Sequence, residues 1–546
     1  MRRIFLYLNT LRYLKWQQFI YRFKLFLPPK KQVLPKKTTE INAYIWPGNY
    51  FGEASFNKKN KAKFLNNEED IIKSSIWNCE ILDKLWLYNL HYFDDLNSQD
   101  NEQKKEFHLN LILRWIRENP INIGIGWDSY PVSLRVVNWI KWYGRSGIHN
   151  KRIIESLYLQ SKKLSSSVEY HLLGNHLIAN CKALIFAGIF FKGLHGEKFL
   201  KQGVSILKKE LREQFHEDGG HFELSPMYHC IMMHDLLDLV NLTNLTANEH
   251  LHSQKPLLID IIKSGLEWMS VMTHPDGEVS YFNDSVGGIA PPVEHIFRYS
   301  KKLGIDFDRD INRSRLITLK SSGYTRLNVE RHTLILDHGN IGPNYLPGHA
   351  HADSLCFEWT FKGHRIFVNR GISTYENNED RLNQRKTYSH NTVELENKDS
   401  SEVWSSFRVA KRARAEIISS LDDGESCFLK SSHNGYQTIF KNLLHQRSIS
   451  LNANALDINE EITGVHQNAI SFFHLHPKID LIMNDDFNAH LVLPDGETLF
   501  LVSSHKLIKF SSFWCQSFGN QIKTSSLKVP FIDGKHRLTV NIAQSS

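Results

Sequence analysis

No stretch of the sequence is apolar for long enough to cross a bilayer. The longest run, Ala183 to Phe191, is nine residues fenced by Lys182 and Lys192, against the roughly 20 that a spanning helix needs. Cysteine is scarce and scattered. The six lie at 79, 181, 230, 356, 427 and 515 with no Cys-x-x-Cys pair, which excludes a disulfide framework and a thiolate zinc site. Glycine and proline, 30 and 16 of 546 residues, fall below their ordinary share of roughly 12%, so collagen-like and disordered chains are excluded. Acid is missing from residues 1–37, which hold ten Lys/Arg and no Asp or Glu. The formal charge of +8 is therefore terminal, since the remainder carries 56 basic and 58 acidic residues.

A nucleic-acid groove needs basic residues clustered on the folded body, so no nucleic-acid partner is expected. Residues 1–37 read as an amphipathic helix or strap packed on the surface. The alternative is contact with an anionic membrane surface through Trp16, Phe19, Phe23 and the flanking cations. Arg2-Arg3-Ile-Phe-Leu-Tyr-Leu-Asn, with Arg12 and Lys15 soon after, is too short and interrupted for a signal peptide. A cytoplasmic or membrane-peripheral location is expected, with the periplasm as the alternative.

Two periodicities divide the chain. From Tyr88 to about Leu303 apolar residues recur at three and four, and Leu164–Phe191 and Tyr228–Thr243 read as helices. From about Leu316 the pattern alternates, as in Thr333–Asp337, in Leu355–Phe361 turning at Lys362-Gly363, and in His490–Ser503 turning at Pro494-Asp495-Gly496. Helices followed by strands, without βαβ alternation, predict a multidomain α+β chain. The expected division is a basic segment 1–40, a helical domain 41–315 and a β domain 316–546.

Three segments could carry chemistry. In Glu169-Tyr-His-Leu-Leu-Gly-Asn-His-Leu-Ile-Ala-Asn180, His171 with Asn175 and His176 with Asn180 are four apart and would share helix faces. An amide and an imidazole held there could bind a carboxylate, or could simply cap and bond neighbouring helices. In Glu217-Asp-Gly-Gly-His-Phe-Glu-Leu-Ser-Pro-Met-Tyr228, Ser225 is the expected N-cap and Pro226 the first helical residue. Tyr228 in the first turn would then feel the positive helix end, which favours phenolate, unless it only plugs the core. Glu217, Asp218 and Glu223 could alternatively form a glycosidase carboxylate pair. In Gly348-His-Ala-His-Ala-Asp353, read as strand, His349, His351 and Asp353 point to one side. With His390 they have plausible metal-ligand geometry, although a bare His-x-His is weak in a chain with 28 histidines.

Together with Trp86-Leu-Tyr-Asn-Leu-His-Tyr-Phe-Asp-Asp95 and Trp127-Asp-Ser-Tyr-Pro-Val-Ser-Leu-Arg135, these segments resemble the heparinase II/III-like polysaccharide lyase family over nearly the whole chain. The resemblance implies an N-terminal incomplete (α/α) toroid followed by a C-terminal antiparallel β-sandwich. It also implies β-elimination on a uronic-acid-containing acidic polysaccharide as the partner molecule. Asn175 with His176 would neutralise the uronate carboxylate and Tyr228 would transfer a proton. His349 would be the base or a second neutraliser, depending on the uronate epimer. Tyr130, Arg135 and Glu223 would bind substrate. The one cofactor implied is a structural zinc on His351, the position of Asn369, and His390. An amide at 369 is a poor zinc ligand where the family has a carboxylate, unless Asp353 turns in.

Rival readings are a metallohydrolase built on His-x-His-x-Asp, a toroid glycoside hydrolase, and a non-catalytic or trimming protein of polysaccharide biosynthesis. Ser354, where a dinuclear hydrolase wants histidine, argues against the first.

Overall fold

A computed structural model describes residues 2–24, 26, 40–42, 45–48, 52–57, 59–308, 314–440, 442–466 and 468–542. Part of the basic segment 1–37, namely 1, 25 and 27–37, lies outside the described residues. The first half is built from helices, among them Lys84–Tyr92, Lys105–Glu118, Ser129–Ser146, Lys151–Ser166, Asn175–Phe190, Gly193–Gln214, Pro226–Asn244, Lys255–Val271 and Val293–Lys302. A small three-stranded sheet over Phe56–Asp70 precedes them. Their apolar stripes merge into one core that includes Trp77, Trp86, Trp115 and Trp139. Among the described residues no helix is long and apolar enough to cross a membrane.

Leu164–Phe191 is not one helix. The first helix ends at Ser166 and the next begins at Asn175, because Leu173 and Gly174 take positive φ, 71° and 59°, and a left-handed pair cannot continue an α-helix. A Cβ at Gly174 would also collide with Glu223 Oε1 and Leu346, so glycine is required there on two counts. His171 therefore precedes the helix and shares no face with Asn175, contrary to the four-residue spacing.

From Leu316 onward, described strands pair only antiparallel, in sheets of five, eight and four strands plus a two-stranded hairpin. Burial alternates along strands such as Leu444–Asn452 and Thr498–Ser503, which is the period-two pattern of a sheet with one face in a core. Leu334, Leu451 and Val529, one from each large sheet, belong to a single apolar cluster. In the five-stranded meander, Leu336 pairs with Phe357 and Asp337 N–H donates to Cys356 O at 2.8 Å. The chain between therefore leaves and re-enters the sheet at one point. Residues 349–353 ride on this excursion, not on a strand as their alternation suggested, and the loop is free to aim each side chain separately.

Arg135 also departs from expectation. It lies inside the helical core and does not line a cleft. Its guanidinium stacks 3.9 Å from the Trp115 ring centroid and donates to His91 O at 3.1 Å, Gly126 O at 2.7 Å and Gln160 Oε1 at 2.8 Å. One buried cation thus satisfies two orphan carbonyls and an amide oxygen. Arg135→Met should keep the volume and lose those three bonds, each worth about 1 kcal/mol or more when its partner is left buried. Chemical denaturation should show a loss of about 3 kcal/mol; a loss under about 0.5 kcal/mol would mean that water replaces the guanidinium there.

Candidate active site

The helix Pro226–Asn244 starts as its sequence predicts. Ser225 caps it, accepting from Tyr228 N at 3.3 Å, and Pro226 is the first helical residue. The cap is also a joint, because Ser225 Oγ donates to Asp284 O at 2.8 Å and Met227 N donates to Ser285 Oγ at 3.1 Å. Tyr228 is thereby fixed relative to the loop that carries Asp284. Its ring lies 4.0 Å from that of His349, and its hydroxyl lies 3.1 Å from that of Tyr375.

Asp284 is the hub. Arg381 grips it with both terminal nitrogens, Nη1 on Oδ1 and Nη2 on Oδ2 at 2.7 Å. His349 Nδ1 donates to Oδ2 at 2.9 Å and His351 Nε2 to Oδ1 at 2.8 Å. The two histidines, two apart in sequence, end on the two oxygens of one carboxylate. Burial opposes the charge on Asp284, yet Arg381 and the two imidazoles hold its carboxyl well below the usual carboxylate range.

Glu223 plays the matching part on the other side. It accepts from Asn175 N at 2.8 Å and from Asn175 Nδ2 at 3.1 and 2.9 Å, and its Oε2 lies 3.5 Å from His349 Nε2. Burial opposes its ionisation, but His349, His221 and the Asn175 donors outweigh that and keep its carboxyl low. Glu223 is itself only 2% exposed. It is therefore a positioning residue behind Asn175 and His349, not the substrate-binding residue expected from the sequence. Of its candidate partners in a glycosidase pair, Asp218 is spent on Ser322 N and Oγ, at 2.8 and 3.0 Å, and Glu217 is exposed while Glu223 is buried.

Next to this cluster, His176 packs on Tyr130 at 4.6 Å with Nδ1 3.2 Å from Glu169 Oε2. Asn180 braces the pair, donating to Glu169 Oε2 at 3.0 Å. Tyr130 and His176 both remain partly exposed. Burial disfavours the imidazolium, but Glu169 overrides it and raises the His176 pKa. The phenol of Tyr228 behaves oppositely to the sequence expectation. Burial raises its pKa, Asp284 and Glu223 add to the rise, and Tyr375 and Arg381 do not offset them. The shift favours the protonated phenol.

Behind the hub lies a second cluster. His351 Nδ1, His390 Nε2 and Asp353 Oδ2 are buried without hydrogen-bond partners, and the three residues bring ligand atoms within 4.8 Å of one another. Three orphaned donors of this kind suit a divalent cation. Without a cation, burial pushes Asp353 up to about 6 and His351 down to about 4. Asn369 does not join them through oxygen: its Oδ1 accepts from His390 Nδ1 at 2.6 Å, which turns His390 Nε2 toward the cluster. The sequence reading missed Asp284, Arg381 and Tyr375. Each is a single polar residue with no spacing signal, and each becomes part of the site only through tertiary contact.

The His176–Glu169 pair has a pH signature. A raised imidazole pKa stabilises below the ordinary histidine range and is lost as pH climbs through the folded value. The depressed Glu169 pKa stabilises above the ordinary carboxylate range and is lost as pH falls through its folded value. His176→Gln should thus cost about 1 kcal/mol at mildly acidic pH and progressively less in alkali. Melting curves of both proteins across pH test this, and a gap that widens with alkali would refute the pairing.

Comparison with known proteins identifies a family for the chain. The heparinase II/III N-terminus model matches residues 56–298 and the heparinase II/III-like, C-terminal model matches residues 312–539. A heparin-sulfate lyase of Bacteroides stercoris is 26% identical over 327 residues, 57% of this chain and 46% of that one. A heparin-sulfate lyase of Pedobacter heparinus is 21% identical over 313 residues, 52% and 47% of the two chains. The match thus spans about half the length of these relatives. The crystal structure of heparinase III superposes with a TM-score of 0.68 at 16% identity, over 97% of this chain and 89% of that one. The heparan sulfate lyase of Pedobacter heparinus gives 0.58 at 16% identity, over 97% and 88%; at such identities the likeness speaks for the fold. With both family models matched in order, the chain belongs to the heparinase II/III-like family.

Proposed function

We propose that the protein is a polysaccharide lyase that cleaves a uronic-acid-containing acidic polysaccharide by β-elimination. The observation that carries this reading is the convergence of Asn175, Tyr228 and His349, from both halves of the chain, around two buried carboxylates. Elimination at a uronate needs the carboxylate neutralised, a base at C5 and an acid at O4. Asn175, oriented by Glu223, and His176, charged by Glu169, supply neutralisation beside Tyr130. His349 keeps its Nδ1 proton in a hydrogen bond donated to Asp284, which leaves Nε2 as the atom that can take the C5 proton. The C5–H electrons form the C4=C5 bond, the C4–O4 bond breaks, and the Tyr228 phenol protonates O4. No water is consumed. Relatives named as heparin-sulfate lyases support an acidic polysaccharide as substrate.

In the same reading the helices of residues 41–315 form an incomplete (α/α) toroid. The sheets of 316–546, sharing one core, form a β-sandwich domain, and 1–40 is a separate basic segment. Zinc would be held by His351, Asp353 and His390, with Asn369 orienting His390 instead of ligating. Such an ion would supply structural cross-linking, fixing the excursion loop that presents His349.

Incubation with a panel of uronate polymers should release products with the ultraviolet absorbance of a C4–C5 unsaturated uronate from at least one. New reducing ends without that absorbance would indicate hydrolysis and sink the proposal. Tyr228→Phe should lose roughly 10²–10⁴-fold in turnover with little change in thermal midpoint. His390→Ala should lower the midpoint, and its activity should fall with the folded fraction and any shift of His349. Near-normal turnover in Tyr228→Phe would remove Tyr228 from the proton path.

A further inference from the structure

The helices Arg2–Leu11 and Trp16–Lys24 have two different faces. One packs on the body as a strap. Tyr7 meets Trp404 edge-on at 5.0 Å, and Thr10 Oγ1 accepts from Trp404 Nε1 at 3.2 Å. Lys15 pairs with Glu213 and sits 3.8 Å over the Tyr345 ring, and Tyr21 packs on Tyr170 at 4.7 Å. The strap therefore touches the helical half at Glu213 and Tyr170 and the sheet half at Tyr345 and Trp404. Among the described residues, these contacts leave the second face unused. On the first helix Ile4, Phe5, Leu8 and Leu11 share one side at helical spacing and all are exposed. On the second, Trp16, Phe19, Ile20 and Phe23 do the same, with Trp16 82% and Phe23 70% exposed. Single exposed apolar residues need no explanation, but two aligned stripes of them mark a binding surface.

Charge decides what covers it. Neither helix carries an acid, and residues 1–37 hold ten cations. A second copy would bring one all-cationic face against another. An anionic bilayer surface satisfies both features at once, with the aromatic and aliphatic side chains entering the acyl boundary and the Arg and Lys groups staying at the headgroups. At 10 and 9 residues the helices are far too short to span and suit only an in-plane position. We propose that this face of the strap docks the protein on an anionic lipid surface. The strap's other face leans on the hairpin Val403–Val409, whose Phe407 lies 6.5 Å from His349 between ring centroids. Docking would thus hold the candidate active site close to the bilayer, where a membrane-tethered polymer would meet it.

The test is flotation of the full chain with vesicles of phosphatidylcholine and phosphatidylglycerol, beside vesicles of phosphatidylcholine alone. The intact protein should float with the mixed vesicles, much less with the neutral ones, and less as salt rises. The triple variant Trp16→Glu, Ile20→Glu, Phe23→Glu alters only exposed positions, so its melting curve should match the parent while its bound fraction falls at least about tenfold. Failure of the parent to float, equal binding to neutral vesicles, or full binding by the triple variant would each overturn the proposal. So would a concentration-dependent dimer in light scattering that the triple variant abolishes while vesicle binding is absent.

Discussion

The structure turns on one buried carboxylate. Asp284 comes from the helical half and has no exposed surface. Its partners Arg381, His349 and His351 all come from the sheet half. An isolated carboxylate at such depth would cost several kcal/mol, and a single partner seldom repays that. Here a bidentate guanidinium and two imidazole N–H groups saturate both oxygens, and charge-assisted bonds of this kind are the strong class. The same four groups join the two halves of the chain and set the ring of His349 against Tyr228. Interface and active-site geometry are therefore one construction.

Around that hub the site repeats a single arrangement: a carboxylate stands behind each N–H donor. Glu223 lies behind Asn175, Asp284 behind His349, and Glu169 behind His176. Each acid is buried, and its charge is spent on orienting and polarising the amide or imidazole in front of it. Tyr228 fits the pattern by contrast, since burial, with the two carboxylates that flank it, raises the pKa of its hydroxyl. A phenol that carries its proton into the site is equipped to donate it.

The orphaned trio of His351, Asp353 and His390 depends on the same hub, because Asp284 fixes the Nε2 tautomer of His351 and leaves Nδ1 facing its two neighbours. Asn369 does the equivalent for His390. The excursion loop 338–356 has little secondary structure of its own. Its shape rests on Asn283, whose Oδ1 accepts from His351 N at 3.1 Å, and on Asp284 N–H donating to His349 O at 3.1 Å. Further bonds tie it to the sheet half, among them Ala352 N–H donating to Arg385 O and Arg385 Nη2 donating to Ala350 O, each at 2.9 Å.

The sequence by itself determined whatever depends on neighbours along the chain. The change from helical to alternating periodicity near residue 316, the hairpin turns at Lys362-Gly363 and Asp495-Gly496, and the Ser225-Pro226 helix start are local matters of φ, capping and side-chain spacing. The motif residues Asn175, Tyr228 and His349 were legible in the same way, as was the family they resemble. What only the tertiary structure decided were the choices between equivalent local outcomes. Arg135 could serve a cleft or a core, and the open carbonyls beside Trp115 drew it into the core. The helical pattern around Leu173-Gly174 hid a break that the Glu223 carboxylate requires. His349, His351 and Asp353 alternate like strand residues yet lie in a loop that Asp284 helps to shape, and the pKa of the Tyr228 phenol is raised by its burial and the carboxylates packed round it. In each case the deciding energy is desolvation and pairing of a buried polar group, which depends on atoms dozens to hundreds of residues away.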